Sequence, residues 1–229
     1  MKKLLVLSFV LLLSIAVHAT QKLENITTMN EFQGFVHTFY LHPQPELIDS
    51  AITFFGSSEM ASNPNAKALM LMSFSSLFSM YDASRKAQWE KTIQGIREPA
   101  KSLLMHSLRR SPSALLDAAP LSPAKVDMYW ACFFTTGDFE YLYAIIALLK
   151  HLDERQDINL FLTAASAKWS LSSNAKLHFK VRMALEAMKV GDVPELQPVA
   201  KEILEVNPSL IREEALAVLR EQKRKGIWR

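Results

Sequence analysis

Five carboxylates have the side-chain chemistry to cut a sugar polymer: Glu46, Asp49, Glu59, Asp138 and Glu140. Glycoside cleavage needs two such groups flanking one bond, one to donate a proton and one to act as base or nucleophile. Their neighbours give them a different task. Asp138 follows Gly137 and precedes an apolar helical pattern, the place where a short acidic side chain accepts the first unbonded N–H groups of a helix. Glu140 then falls in the first turn, where negative charge meets the positive end of the helix dipole. Glu46 and Asp49 stand in the same relation to an earlier helix. Capping accounts for these acids, and no catalytic residue is assigned.

No nucleophile system replaces them. The Gly-x-Ser-x-Gly elbow is absent, and six glycines supply no phosphate-binding loop. Cys132, the single cysteine, lies in Tyr129-Trp130-Ala131-Cys132-Phe133-Phe134 with no histidine beside it, and reads as a buried, inert thiol. His37 and His42 miss the i, i+4 spacing of a helical zinc site, and His106, His151 and His178 are scattered. Neither His-Glu-x-x-His nor Cys-x-x-Cys occurs, so no metal and no cofactor is expected.

The elements that must position these residues are helices. No stretch alternates with period two, and no Asn-Gly or Asp-Gly hairpin turn occurs. Apolar spacing predicts helices over 29–41, 47–55, 68–80, 84–94, 99–108, 126–136, 141–152, 160–169, 177–188, 194–206 and 208–219. Prolines and polar caps separate them: Pro43 and Pro45, Asn63-Pro64, Ser111-Pro112, Ser122-Pro123, Gly191-Asp192 and Asn207-Pro208. The segment 68–80 is apolar almost all round and is expected to be central. Ser172-Ser173-Asn174 reads as a polar corner between two helices. Pro45-Glu46-Leu47, Phe139-Glu140-Tyr141 and Pro194-Glu195-Leu196 open helices alike, but at no fixed period. The expected fold is all-α, an irregular α-solenoid or a bundle of antiparallel helix hairpins. It would occupy 20–229 as a single domain, with a soft boundary near 111–123.

The first nineteen residues set the address. Met1-Lys2-Lys3 is basic, Leu4 to Val17 is apolar apart from Ser8 and Ser14, and Val17-His18-Ala19 precedes Thr20. That is the layout of a cleaved secretory signal peptide, and the run falls short of the roughly 20 apolar residues that span a bilayer. Loss of Lys2 and Lys3 lowers the formal charge from +3 to +1. Such a near-neutral chain has no bulk attraction for nucleic acid, and no transmembrane segment is expected after cleavage. Its one cysteine leaves no intramolecular disulfide for an oxidising compartment, so an apolar core must do the work.

Two stretches carry a resemblance: Tyr129-Trp130-Ala131-Cys132-Phe133-Phe134-Thr135-Thr136-Gly137-Asp138 with Tyr141, and Ala167-Lys168-Trp169-Ser170-Leu171-Ser172-Ser173-Asn174-Ala175 with His178. Together they resemble an uncharacterised group of exported proteins of Gram-negative bacteria whose helical hairpins are similar to tetratricopeptide solenoids. The resemblance spans about residues 125 to 190 and implies a helical-hairpin fold, export and no known activity.

Core packing explains the aromatic residues of both stretches, and leaves Thr135, Thr136, Asn174 and His178 as candidate partner-binding residues. Trp228 joins them, beside the basic cluster Arg220, Lys223, Arg224, Lys225 and Arg229. That cluster can be a solvated helix end or a docking tail. The expected function is an exported, non-catalytic helical protein that binds a protein or peptide in the cell envelope or outside, in the periplasm or the medium. The alternatives are an enzyme acting on envelope polymers, or a carrier of a small apolar ligand in the Phe- and Met-rich region 70–80. Intact-mass analysis of the exported chain should place Thr20 first; a product that still begins at Met1 would refute cleavage.

Overall fold

The computed structural model describes residues 24–191 and 194–228, apart from the side chain of Asn65. The segment 1–19 expected to be a signal peptide, Asp192 and Arg229 lie outside the described residues. Among the described residues the chain is all-helical, with no strand. It divides into two compact units. One runs to Ala118 and adds Phe134–Gly137; the other is Ala119–Phe133 with Asp138 onward.

The first unit holds α1 (Met29–Thr38), α2 (Ile48–Ser57), α3 (Pro64–Ser79), α4 (Ala83–Gln94), α5 (Ala100–Arg109) and α6 (Pro112–Ala118). Local chemistry starts these helices. Thr28 accepts a hydrogen bond from the Glu31 backbone N–H, and the Glu31 carboxylate accepts in turn from the N–H groups of Thr27 and Thr28. These bonds, chiefly the one from the Thr27 backbone, hold the Glu31 carboxyl below the usual range. Asp82 caps α4 by accepting from the Arg85 N–H. α3 is the central helix, packed against α5, α6 and the 3-10 turn Glu59–Ser62. Rings then run through the core: Phe32 to Phe74 at 6.3 Å, Phe74 to Phe78 at 5.7 Å, Phe78 to Trp89 at 5.2 Å. Each of these four rings is almost fully buried, and such pairs add about 0.5–1.5 kcal/mol beyond the area they hide. Ser73, Ser75 and Ser76 of α3 are buried too, and two serine hydroxyls tie elements together. Ser75 donates to the Arg110 carbonyl at 2.6 Å, and Ser107 of α5 donates to the Leu71 carbonyl at 3.2 Å.

The second unit holds α8 (Phe139–Ala147), α9 (Ile158–Asn174), α10 (Phe179–Lys189), α11 (Gln197–Glu205) and α12 (Pro208–Arg224). The intervening α7 (Pro123–Thr136) begins in this unit and ends in the other. α9 is the central helix here, packed on α12, α11, α8 and the 3-10 turn Leu148–His151. α10 packs on α11 and α8. Asp138, Asp157 and Asn207 cap α8, α9 and α12 through their side-chain oxygens.

Three expectations change. Helix α9 does not stop at Trp169; it continues through Ser172-Ser173-Asn174, because all three side chains lie buried and those of Ser173 and Asn174 bond the helix itself. Ser173 donates to the Trp169 carbonyl at 3.1 Å and Asn174 to the Ser170 carbonyl at 3.0 Å. The helix expected over 141–152 narrows to a 3-10 turn after Ala147. Pro45–Leu47 and Pro194–Leu196 are 3-10 turns that lead into α2 and α11, whereas Phe139 opens α8 directly.

Gly56 shows how closely the first unit is packed. A Cβ built there would lie 2.5 Å from Cδ1 and 2.7 Å from Cγ2 of Ile96. Helix propensity favours Ala over Gly by about 1 kcal/mol, while overpacking costs about 1–3 kcal/mol, and Cγ2 on a branched Cβ has little room to turn away. Gly56→Ala is therefore expected to destabilise in urea unfolding, and to turn neutral or stabilising once Ile96→Ala clears the space. Equal effects in both backgrounds would refute the clash.

Candidate functional site

The five residues singled out in sequence are divided between the two units. Thr135 and Thr136 end α7 in the first unit, whereas Asn174, His178 and Trp228 belong to the second. Thr135 is buried and lines a cavity of about 10 Å³ with Phe35, Phe39, Ser73, Phe74 and Leu77, the room of about one water molecule. Thr136 is half-buried. Asn174 and His178 do meet. The Asn174 carbonyl accepts the N–H of His178 at 2.8 Å and of Leu177 at 3.1 Å, which turns the chain from α9 into α10. Asn174 is thus a buried linchpin of a corner, and His178 is the half-buried N-cap residue of α10.

Trp228 is not an exposed tail residue. It is 3% exposed and lies on the Phe161 ring at a centroid distance of 5.0 Å, with Ala165 in the same cluster. Gly226 makes this possible. Its φ of 72° lets the chain reverse, and the N–H groups of Ile227 and Trp228 then donate to the Gln222 carbonyl at 3.1 and 3.4 Å. The indole N–H has no acceptor among the described residues, so packing holds the ring. The basic cluster around it is largely matched by acids. Arg224 makes two hydrogen bonds to Glu221 at 2.8 and 2.9 Å, Lys225 lies 3.3 Å from the same carboxylate, and Arg220 lies 3.7 Å from Glu213. The Glu221 carboxyl is held down to about 2, chiefly by Arg224. Arg229 lies outside the described residues.

Two of the five candidate acids have structural partners. Asp138 accepts the Glu140 N–H at 2.9 Å, and Asp49 accepts the Thr92 hydroxyl at 2.8 Å, joining α2 to α4. Among the described residues no three His, Cys, Asp or Glu side chains converge as a metal site would require. Cys132 is fully buried, and burial pushes the Tyr141 phenol close to it up to about 12.

Two features of the second unit were not read from the sequence. Lys168 of α9 is only 11% exposed and bridges Glu202 of α11 at 2.6 Å and Glu214 of α12 at 3.3 Å. The guanidinium of Arg212 sits 5.6 Å above Trp169 beside it. The second feature is an outward apolar face on α10. Phe179 is 75% exposed, Met183 46% and Val190, at the helix C-cap, 80%. Leu177, just before α10, and Tyr143 of α8 are also exposed. Val181, Ala184 and Leu185 face inward from the same helix. Apolar residues on both sides of α10 hid the outward stripe, since periodicity cannot say which of two apolar faces is covered. The Phe179–Met183–Val190 spacing was the available signal.

No family model matches the chain, and no curated protein or solved structure matches it.

The polar row Ser170, Ser172, Ser173 and Asn174 of α9 bonds the fold together. The Trp130 indole N–H donates to the Ser170 hydroxyl at 2.9 Å, a buried bond between α7 and α9. Ser170→Ala removes that acceptor and is expected to cost about 1–3 kcal/mol in thermal unfolding; a loss well under this range would mean that the row carries little of the packing.

Proposed function

We propose that this chain is a non-catalytic helical binding protein that engages a protein or peptide partner through the outward face of α10. The observation that carries the reading is the exposure of Phe179, Met183 and Val190 on one side of α10, with Leu177 exposed just before the helix. Large apolar side chains gathered on one face lose hydration cost when a partner covers them. Asp138 serves as a helix cap and Asp49 as a tie between helices, which supports binding over hydrolysis. The basic and apolar segment 1–19 supports export to the envelope of a Gram-negative cell, into the periplasm or beyond it. The helix hairpins α8–α9 and α10–α11 support a tetratricopeptide-like mode of presentation, with helices as the contact surface. No described helix is long and apolar enough to cross a membrane.

The test is photo-cross-linking in producing cells. A photoreactive phenylalanine analogue at Phe179 is expected to give one discrete protein adduct. The same analogue at exposed Gln88 of α4 serves as control. No adduct at 179, or the same smear from both positions, would overturn the reading.

A further inference from the structure

The outward face of α10 has the register of a coiled-coil seam. Phe179, Met183, Glu186 and Val190 are spaced four, three and four residues apart, the spacing of alternating d and a positions. The flanking e and g positions are then Lys180, Arg182, Ala187 and Lys189, so every charged flank is basic. In the structure the seam residues are the exposed ones, and the face that buries Val181, Ala184 and Leu185 is the opposite one. Arg182 is exposed and makes no ion pair among the described residues, whereas the Lys189 ammonium reaches Glu186 at 3.8 Å and the Lys180 ammonium lies 5.4 Å from the Phe139 ring centre.

We infer that the occupant of this face is an amphipathic helix of another protein with acidic residues flanking its apolar seam. The inference rests on the binding role proposed for α10 and names the partner's chemistry. Charges at e and g positions choose the partner in helix pairs, because they lie beside each other across the seam. A second copy of this chain would set basic flank against basic flank in either orientation. An anionic bilayer would accept the lysines but would meet the Glu186 carboxylate in the middle of the apolar stripe. An acidic helix satisfies both flanks, and one lysine or arginine at its facing seam position would pair with Glu186 and fix the register.

Three synthetic helical peptides of equal length test this against the full chain by fluorescence anisotropy. Each has leucine at its a and d positions, with Glu, Lys or Gln at every e and g position. The Glu peptide is expected to bind about tenfold or more tighter than the Gln peptide, with the difference shrinking as salt is raised, and the Lys peptide is expected not to bind. The double variant Phe179→Ser, Met183→Ser should lose the Glu peptide. The double variant Arg182→Glu, Lys189→Glu changes only flanking side chains and should move the preference toward the Lys peptide, with helicity checked by circular dichroism. Equal binding of all three peptides, lost in the serine variant, would overturn the acidic partner while leaving α10 as the docking face. No binding of any peptide would overturn the helical partner. Sedimentation of the chain with phosphatidylglycerol vesicles, or a concentration-dependent dimer, each lost in the serine variant, would replace it by a membrane or by a second copy. Cross-linking at Phe179 is independent of all three outcomes, so failure of the partner's charge and failure of the docking face are told apart.

Discussion

Apolar burial between helices is the interaction on which the rest of this protein depends, because a chain with one cysteine has no intramolecular disulfide to fall back on. In the first unit that burial is aromatic, with Phe32, Phe74, Phe78 and Trp89 passing contact from α1 through α3 to α4. Tight packing of this kind leaves little space to spare. A glycine at position 56 and a cavity the size of a single water are both consequences of it.

A core made only of helices has to accommodate many small polar side chains, and here several of them bond backbone carbonyls. Ser75, Ser107, Ser173 and Asn174 each donate to a carbonyl of their own or a neighbouring helix, which removes the cost of burying an unbonded hydroxyl or amide. Carboxylates play the matching role at helix starts, where Glu31, Asp82, Asp138 and Asp157 take up N–H groups that the helix leaves unbonded. These polar side chains are thereby committed to structure. What remains for recognition is the surface, and within the second unit the outward side of α10 combines apolar side chains with basic flanks around one glutamate.

The C-terminus shows how tertiary context overrules composition. Read as residues, Lys223-Arg224-Lys225-Gly226-Ile227-Trp228 looks like a basic, aromatic tail. Folded, Glu221 draws in Arg224 and Lys225, Gly226 turns the chain, and Trp228 closes over Phe161. The tail becomes a staple for α9 and α12 rather than a free arm.

Much of the helical architecture was legible in the sequence because caps, prolines and apolar spacing act over short stretches of chain. The all-α class, the breaks at Asn63-Pro64 and Asn207-Pro208, the cap at Asp138 and the central place of 68–80 all follow from such short-range patterns. What required the tertiary structure was anything that depends on which face of a helix is covered. Serines that look like a corner extend α9 because neighbouring helices bury them, and Trp228 is hidden because a glycine folds it back. The candidate site belongs to this second class. Thr135, Asn174 and Trp228 turned inward, and α10 kept an apolar face turned outward. Both faces of α10 have similar residues, and only packing against α8 and α11 determines which one meets solvent.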